Sequence, residues 1–212
     1  MAFGTVSIIL IILAAGLILA GIYLMIAKDW FLQFLRGFAA FGLIALAVLI
    51  IMAGLNLASY AQLQKGSELA TITFTKVNEQ MFDVSVVDVL TGNENKYTLE
   101  GDLWQLESRQ IYVAGSSTPF YMPERISGRY FSIEQQRLST PNTYTLPDKS
   151  IGINLWAMFA QRNIGIVNGA IAKTQYIAMG DGATYSVRAG GDNDLAVKAV
   201  NDAAVSAMEE WH

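Results

Sequence analysis

The sequence predicts a membrane-anchored α+β protein: an N-terminal two-helix transmembrane hairpin, then a β-rich soluble domain built as an antiparallel meander, and a C-terminal helix. Two long uncharged apolar runs, residues 5–27 and 38–57, predict the hairpin. Alternation of apolar and polar residues begins after residue 60, and this period of two is typical of half-buried strands. We therefore divide the 212-residue chain into a hairpin, residues 1–59, and a soluble domain, residues 60–212.

Each apolar run approaches or exceeds the roughly 20 residues that a helix needs to cross a hydrocarbon core about 30 Å thick. The first run is longer than the roughly 7 to 15 residues of a signal-peptide core, and no Lys or Arg precedes it. A second run follows closely. We therefore expect the first helix to be retained rather than cleaved.

The segment between the runs carries the charges that orient the hairpin. Lys28 and Arg36 lie in it, and cytoplasmic loops are enriched in basic residues. The loop is therefore expected to be cytoplasmic, which places the soluble domain in the periplasm or outside the cell. Trp30 is typical of the aromatic belt, so we interpret Lys28, Trp30 and Arg36 as membrane-interface anchors.

Small residues within the runs favour close packing of the two helices. The candidates are Gly16, Ala20, Gly42, Ala45 and Ala53. Asn56 is the only side-chain amide in the runs and lies near the end of the second. No ionisable residue occurs at mid-span, so the sequence predicts no proton or ion relay there.

The charge balance of residues 60–212 excludes some partners. Twelve Lys and Arg against 17 Asp and Glu give this part a net charge of −5. Nucleic acid and anionic lipid headgroups both favour a basic surface. We therefore expect no nucleic-acid partner. About 150 residues is also the usual size of one domain with its own core.

The first half of the soluble domain predicts a series of strands. Residues 70–75 alternate apolar and threonine side chains, and residues 82–86 alternate again. Asn78–Gln80 and Thr91–Asn95 are breaks with turn composition, so each predicts a hairpin. A further one or two strands are predicted over 103–113.

The second half predicts strands and two helices. Alternation from Ile126 to Leu138 indicates a strand, and residues 154–161 a short helix. Gly180–Gly182 predicts the turn of a hairpin. A closing helix follows, with Asp192 or Asp194 at its N-terminus. Its apolar residues recur at spacings of three and four, at Val197, Val200, Ala204, Met208 and Trp211.

Residues suited to catalysis or metal binding are scarce. The chain has no Cys, and its single His is His212, the last residue, where a catalytic base would sit on a fraying end. The carboxylates Glu100, Asp102 and Glu107 near Trp104 resemble a glycosidase pair only in residue type, and we favour their interpretation as a solvated strand edge and turn. We predict no catalytic residue, no metal site and no cofactor.

The segment from Tyr121 to Arg137 concentrates arginine and tyrosine, which are favoured at protein interfaces. It gives a candidate interaction surface formed by Arg125, Arg129, Tyr130 and Arg137. The interpretation that we favour is a strand whose exposed face carries Arg and Glu pairs.

Four stretches carry a resemblance that covers the whole chain: Tyr60–Gln64, Leu99–Glu107, Ile126–Arg137 and Met179–Ala183. Together with the two-span opening, they resemble a family of small two-span proteobacterial inner membrane proteins that are often labelled multidrug or cation efflux proteins. The resemblance implies a multi-pass protein of the bacterial inner (plasma) membrane with a periplasmic domain. It implies no catalytic residues.

The sequence favours a non-enzymatic accessory or interaction protein of the bacterial cell envelope. Its expected partners are the lipid bilayer and either a membrane or envelope protein or further copies of itself. One alternative is a module that binds a lipid or small apolar molecule, lined by Trp104, Tyr130, Trp156 and Phe159. A second alternative is an accessory component of a multidrug efflux system.

Overall fold

The structure, a computed structural model, describes residues 5–25, 30–160, 165–191 and 193–210. It contains two compact units. One comprises Met1–Tyr60 and Lys149–Met158, and the other comprises Ala61–Asp148 and Phe159–His212. Two long N-terminal helices, a β-rich unit and a C-terminal helix are present, as the sequence predicted.

The first unit is built on the helices α1 (Thr5–Met25) and α2 (Trp30–Ala58). They are long and apolar enough to cross a membrane, with a mean hydropathy of 2.7 over residues 6–23 and 32–58. Their large side chains point outward: Leu19 is 69% exposed and Phe38 is 73% exposed. The predicted apolar hairpin is therefore present, with most of its apolar surface uncovered by protein.

Small residues form the contact between α1 and α2, but not the ones expected. A methyl group at Gly16 or Gly42 would meet no neighbouring atom, whereas one at Gly21 would lie 3.1 Å from the Ala40 carbonyl oxygen. The buried positions recur every seven residues on both helices, at Ser7, Ala14 and Gly21 and at Ala40, Ala47 and Gly54. A seven-residue repeat keeps one stripe facing a partner helix.

A second stretch of chain, Lys149–Met158, packs with this helical unit, and we call it the strap. Its short helix α4 (Leu155–Phe159) begins where the Leu155 N–H donates to Oδ1 of the fully buried Asn56, at 3.2 Å. A methyl group on Gly152 would overlap the main-chain carbonyl of Met52. The short helix predicted over 154–161 is thus present from Leu155, and Gln161 lies outside the described residues.

Within its described residues, the second unit contains eleven strands and the helices α3 (Ile133–Leu138) and α5 (Asp202–Glu209). The strands are β1 (Ala61–Gln62), β2 (Glu68–Asn78), β3 (Met81–Asp88), β4 (Glu94–Glu100), β5 (Leu103–Val113), β6 (Phe120–Arg129), β7 (Thr143–Thr145), β8 (Val167–Lys173), β9 (Ile177–Ala178), β10 (Thr184–Gly191) and β11 (Asp194–Ala199). They form one half-barrel sheet in the order β1-β6-β5-β8-β11-β10-β2-β3-β4, with β7 beside β6 and β9 beside β5.

This order is not a simple meander. The hairpins predicted at Asn78–Gln80 and Thr91–Asn95 connect β2, β3 and β4, which do form a meander. Beyond β4 the sheet is assembled from strands far apart in sequence: Thr73 on β2 pairs with Thr184 on β10. The predicted hairpin around Gly180–Gly182 is wrong, because β9 pairs with β5 whereas β10 pairs with β2 and β11.

Two further predictions fail at helix boundaries. The strand predicted from Ile126 to Leu138 ends at Arg129, because the Ser132 side chain accepts the Gln135 N–H and starts α3. The closing helix begins at Asp202, where Asn201 accepts the Ala204 N–H at 3.0 Å. Residues 194–199 are β11 instead. Asp192 and Trp211 lie outside the described residues.

The concave side of the sheet encloses the core. Trp104 is fully buried there, with its ring centroid 5.5 Å from that of Phe74 and 5.4 Å from that of Tyr185. The Tyr185 hydroxyl donates to the Ala178 carbonyl at 2.8 Å, and burial raises the pKa of Tyr185 to about 12. Trp104 is therefore core packing and not the lining of a ligand site.

Candidate functional site

Three neighbouring strands bring a carboxylate between two cations. The strand register places Glu107 on β5 opposite Arg125 on β6 and opposite Lys173 on β8. The carboxylate is 5% exposed and accepts from Arg125 Nε at 2.9 Å and from Lys173 Nζ at 2.6 Å. Burial disfavours the charged form, but the hydrogen bonds from Lys173 and Arg125 outweigh it and hold the pKa of Glu107 below its ordinary value.

A second ion cluster lies beside the first, on the same face of β5. Arg109 contacts Glu124 through Nη2 at 3.0 Å and Asp148 through Nη1 at 2.7 Å. Burial disfavours its charge, yet the hydrogen bonds that it donates to Asp148 and Glu124 raise the pKa of Arg109. The charges on this face therefore neutralise one another and stabilise the sheet.

The structure brings two of the four predicted interaction residues onto one face. Arg125 and Arg129 both point to the ion-paired face of β6, and the Arg129 guanidinium carbon lies 5.0 Å from the ring centroid of Tyr176. Tyr130 is buried, so its ring offers little surface. Arg137 is exposed in the last turn of α3, where a cation suits the helix dipole.

The carboxylates that the sequence places near Trp104 have separate roles in the structure. Glu107 belongs to the ion cluster, whereas Asp102 holds the turn between β4 and β5. Its Oδ1 accepts from Gln80 Nε2 at 2.9 Å and its Oδ2 accepts from the Phe131 N–H at 2.9 Å. Gln135 Nε2 also donates to Gln80 Oε1 at 2.6 Å. These bonds fix the start of α3 against the β4–β5 turn.

A cleft of about 560 Å³ opens between this turn and α5. We call it the acidic-rimmed cleft. Its floor is apolar and its rim carries three carboxylates; the floor includes Leu103, Met179 and Ala207, and the rim Asp102, Asp181 and Glu210. The exposed ring of Phe131 forms one wall. An apolar floor with a negative rim suits an apolar segment or molecule that carries positive charge.

Sequence reasoning missed this cleft. Its residues come from the β4–β5 turn, the β9–β10 connection and α5, and their meeting depends on the strand order. One signal was available: Phe131 directly precedes Ser132-Ile-Glu-Gln135, a helix-capping pattern that places this apolar residue at a helix start.

The structure describes some of the remaining predicted positions. Arg36 lies half-buried on α2, Trp30 is the first residue of that helix, and Lys28 lies outside the described residues. His212 also lies outside them. Across the residues that the structure describes, no group of three or more His, Cys, Asp or Glu side chains is arranged to hold a metal ion.

Comparison of the chain with protein-family models, with curated proteins and with solved structures finds no match.

Proposed function

We propose that the chain is a non-enzymatic interaction protein of the bacterial cell envelope, anchored in the inner membrane by the α1–α2 hairpin. The observation that carries the proposal is the outward apolar surface of that hairpin, on which residues such as Leu19 and Phe38 are exposed. Burial of each such side chain is worth roughly 1.5–3 kcal/mol. Lipid, rather than water, is therefore the solvent that stabilises this surface.

The helix lengths fit the same role. α1 has 21 residues and α2 has 29, which correspond to about 31 and 43 Å at 1.5 Å per residue. A hydrocarbon core is about 30 Å thick. Both helices are long enough to cross it, and α2 has additional length to emerge on one side.

The charges flanking the spans support one orientation. Lys28 and Arg36, which lie between the two apolar runs of the sequence, favour a cytoplasmic connection between the helices, and we therefore propose that the β-rich unit is periplasmic. A reporter fused after His212 tests this placement. Activity of a periplasmic reporter, such as alkaline phosphatase, agrees with it, whereas activity of a cytoplasm-only reporter at the same position overturns it.

The acidic-rimmed cleft is the surface of the β-rich unit best suited to a partner. Apolar residues line its floor and the exposed Phe131 forms its wall, as in the centres of protein interfaces. Asp102 and Asp181 are held in place, because Asp181 Oδ1 accepts the Lys76 N–H at 2.9 Å. A fixed negative rim favours a partner segment with basic residues beside apolar ones.

Cross-linking in native membranes, followed by affinity purification and mass spectrometry, tests the interaction. Two adjacent α5 positions give a matched pair of variants: Ser206 lines the cleft, whereas Val205 is exposed away from it. We expect Ser206→Trp to lower recovery of the cross-linked partner and Val205→Trp to leave it unchanged. Equal recovery from both variants would remove the cleft from the proposal.

Binding of a lipid or small apolar molecule is the second candidate function. The cleft volume of about 560 Å³ lies within the roughly 300–1,000 Å³ of small-molecule sites. Mass spectrometry of the same purified material separates the two functions. A stoichiometric bound lipid or small molecule, displaced in Ser206→Trp and accompanied by no protein partner, would replace the interaction role with the binding role.

A further inference from the structure

The strap, Lys149–Met158, lies against α2 within its membrane-crossing length. Gly152 packs on the main-chain carbonyl of Met52 so closely that a methyl group would not fit. One turn farther along α2, Asn56 accepts the Leu155 N–H. The strap thus follows the last two turns of α2 through two separate contacts, one with the main chain of Met52 and one with the side chain of Asn56.

These contacts define the depth of the strap relative to the end of α2. Met52 precedes the last α2 residue, Ala58, by six residues, which is about 9 Å along the helix axis. α2 is longer than the roughly 30 Å hydrocarbon core. The strap therefore lies within about 9 Å of the end of α2, where the span approaches the lipid headgroups.

The composition of the strap suits that level. No charged residue occurs from Ser150 to Met158. Ile151 is 66% exposed and Met158 is 52% exposed, although both are large and apolar. Trp156, half-buried on α4, belongs to the residue type that concentrates at membrane interfaces. Lys149, at the start of the strap, is a residue type that reaches toward headgroups.

We propose that the strap is a third membrane contact, which embeds Ile151, Trp156 and Met158 in the interface of the leaflet where α2 ends. The occupant of this surface is a phospholipid bilayer, since the strap continues the apolar outer surface of α2. The inference rests on the proposed anchoring by the hairpin. In this arrangement the membrane contact consists of the hairpin and of the strap, an interfacial segment from the C-terminal half of the chain.

The absence of cysteine from the sequence allows single labels to be placed in the full-length protein. The variants Ile151→Cys and Met158→Cys report on the strap, Leu46→Cys on the middle of α2, and Thr75→Cys on an exposed site of β2. Each carries an environment-sensitive fluorophore. The proteins are reconstituted in phosphatidylethanolamine and phosphatidylglycerol vesicles containing lipids with a quencher near the headgroup or near the acyl-chain end.

We expect the labels at 151 and 158 to be quenched most by the quencher near the headgroup. The label at 46 is expected to be quenched most by the quencher near the acyl-chain end. The label at 75 is expected to be unquenched. If the strap labels behave as the label at 75 does while that at 46 is still quenched, the strap inference fails and the hairpin anchor stands. If the label at 46 is also unquenched, the anchor itself fails, and the strap inference with it.

Discussion

Gly152 lies against the main-chain carbonyl of Met52 with no room for a methyl group, so only glycine allows the strap to approach α2. Gly152→Ala is expected to separate the strap from α2 and increase hydrogen exchange of the Leu155 amide, measured in the full-length protein. Gly115→Ala is the control, because Gly115 has a similar positive φ and open space around it. Equal protection of Leu155 in both variants would show that this contact does not hold the strap.

Packing of α1 on α2 depends on the buried small residues. Ala14→Leu places a large side chain at a fully buried contact and is expected to destabilise the hairpin by about 1–3 kcal/mol. Ala15→Leu makes the same chemical change at the adjacent exposed position and is expected to have little effect. Thermal unfolding of both variants in detergent measures the difference, and equal midpoints would contradict the observed interface.

Glu107 holds two cations in place. Glu107→Gln leaves Arg125 and Lys173 without their carboxylate and is expected to destabilise the β-rich unit by about 2 kcal/mol. This is less than the roughly 3–5 kcal/mol of a fully buried pair, because both cations are about half exposed. Glu94→Gln, at an exposed pair with Lys96, is the control and should not alter unfolding by urea.

The same carboxylate makes the free energy of unfolding of the β-rich unit depend on pH. The pKa of Glu107 is lower in the folded protein than its ordinary value of 4.5. Its contribution is therefore complete above about pH 4.5 and is lost as pH falls through the lower folded value. The melting temperature of Glu107→Gln is expected to fall less than that of the unaltered protein on acidification. Parallel falls would show that other carboxylates dominate.

Asp102 connects the β4–β5 turn to α3. Asp102→Ala removes the acceptor for Gln80 and for the Phe131 N–H, so faster hydrogen exchange is expected across 131–138. Asp83→Ala is a suitable control, since Asp83 accepts only the Thr98 hydroxyl among the hydrogen bonds described for it. Exchange in 131–138 that is unaltered in Asp102→Ala would show that other contacts fix α3.

Local patterns allowed much of the architecture to be predicted. The period of the apolar residues distinguished the helices from the strands, and Asn78–Gln80 and Thr91–Asn95 located two hairpins correctly. Helix caps carried information that was overlooked. The Ser132 and Asn201 side chains each accept an N–H from three residues ahead. Each marks a helix start that the spacing of apolar residues alone misplaced.

Tertiary contacts explain what the sequence could not indicate. The strap has no distinguishing sequence pattern of its own, since its association with α2 depends on the space at Gly152 and on the side-chain amide oxygen of Asn56. The cleft depends on the strand order, which places Asp102 and Glu210 at one opening. The sequence predicts Arg125 as part of an interaction surface. Its ion-pair partner Glu107 lies on the neighbouring strand, and the strand register that places the two residues opposite each other is not evident from the sequence.

The pairing of β2 with β10 has a consequence for biogenesis. Thr73 contacts Thr184 only after about 110 further residues have been made, which takes about 5–20 s at common rates of synthesis. During this interval β2, β3 and β4 can form their hairpins, but the core side chains Ile72 and Phe74 are not yet covered by residues of the later strands, such as Tyr185. Completion of the core therefore depends on the arrival of the C-terminal strands.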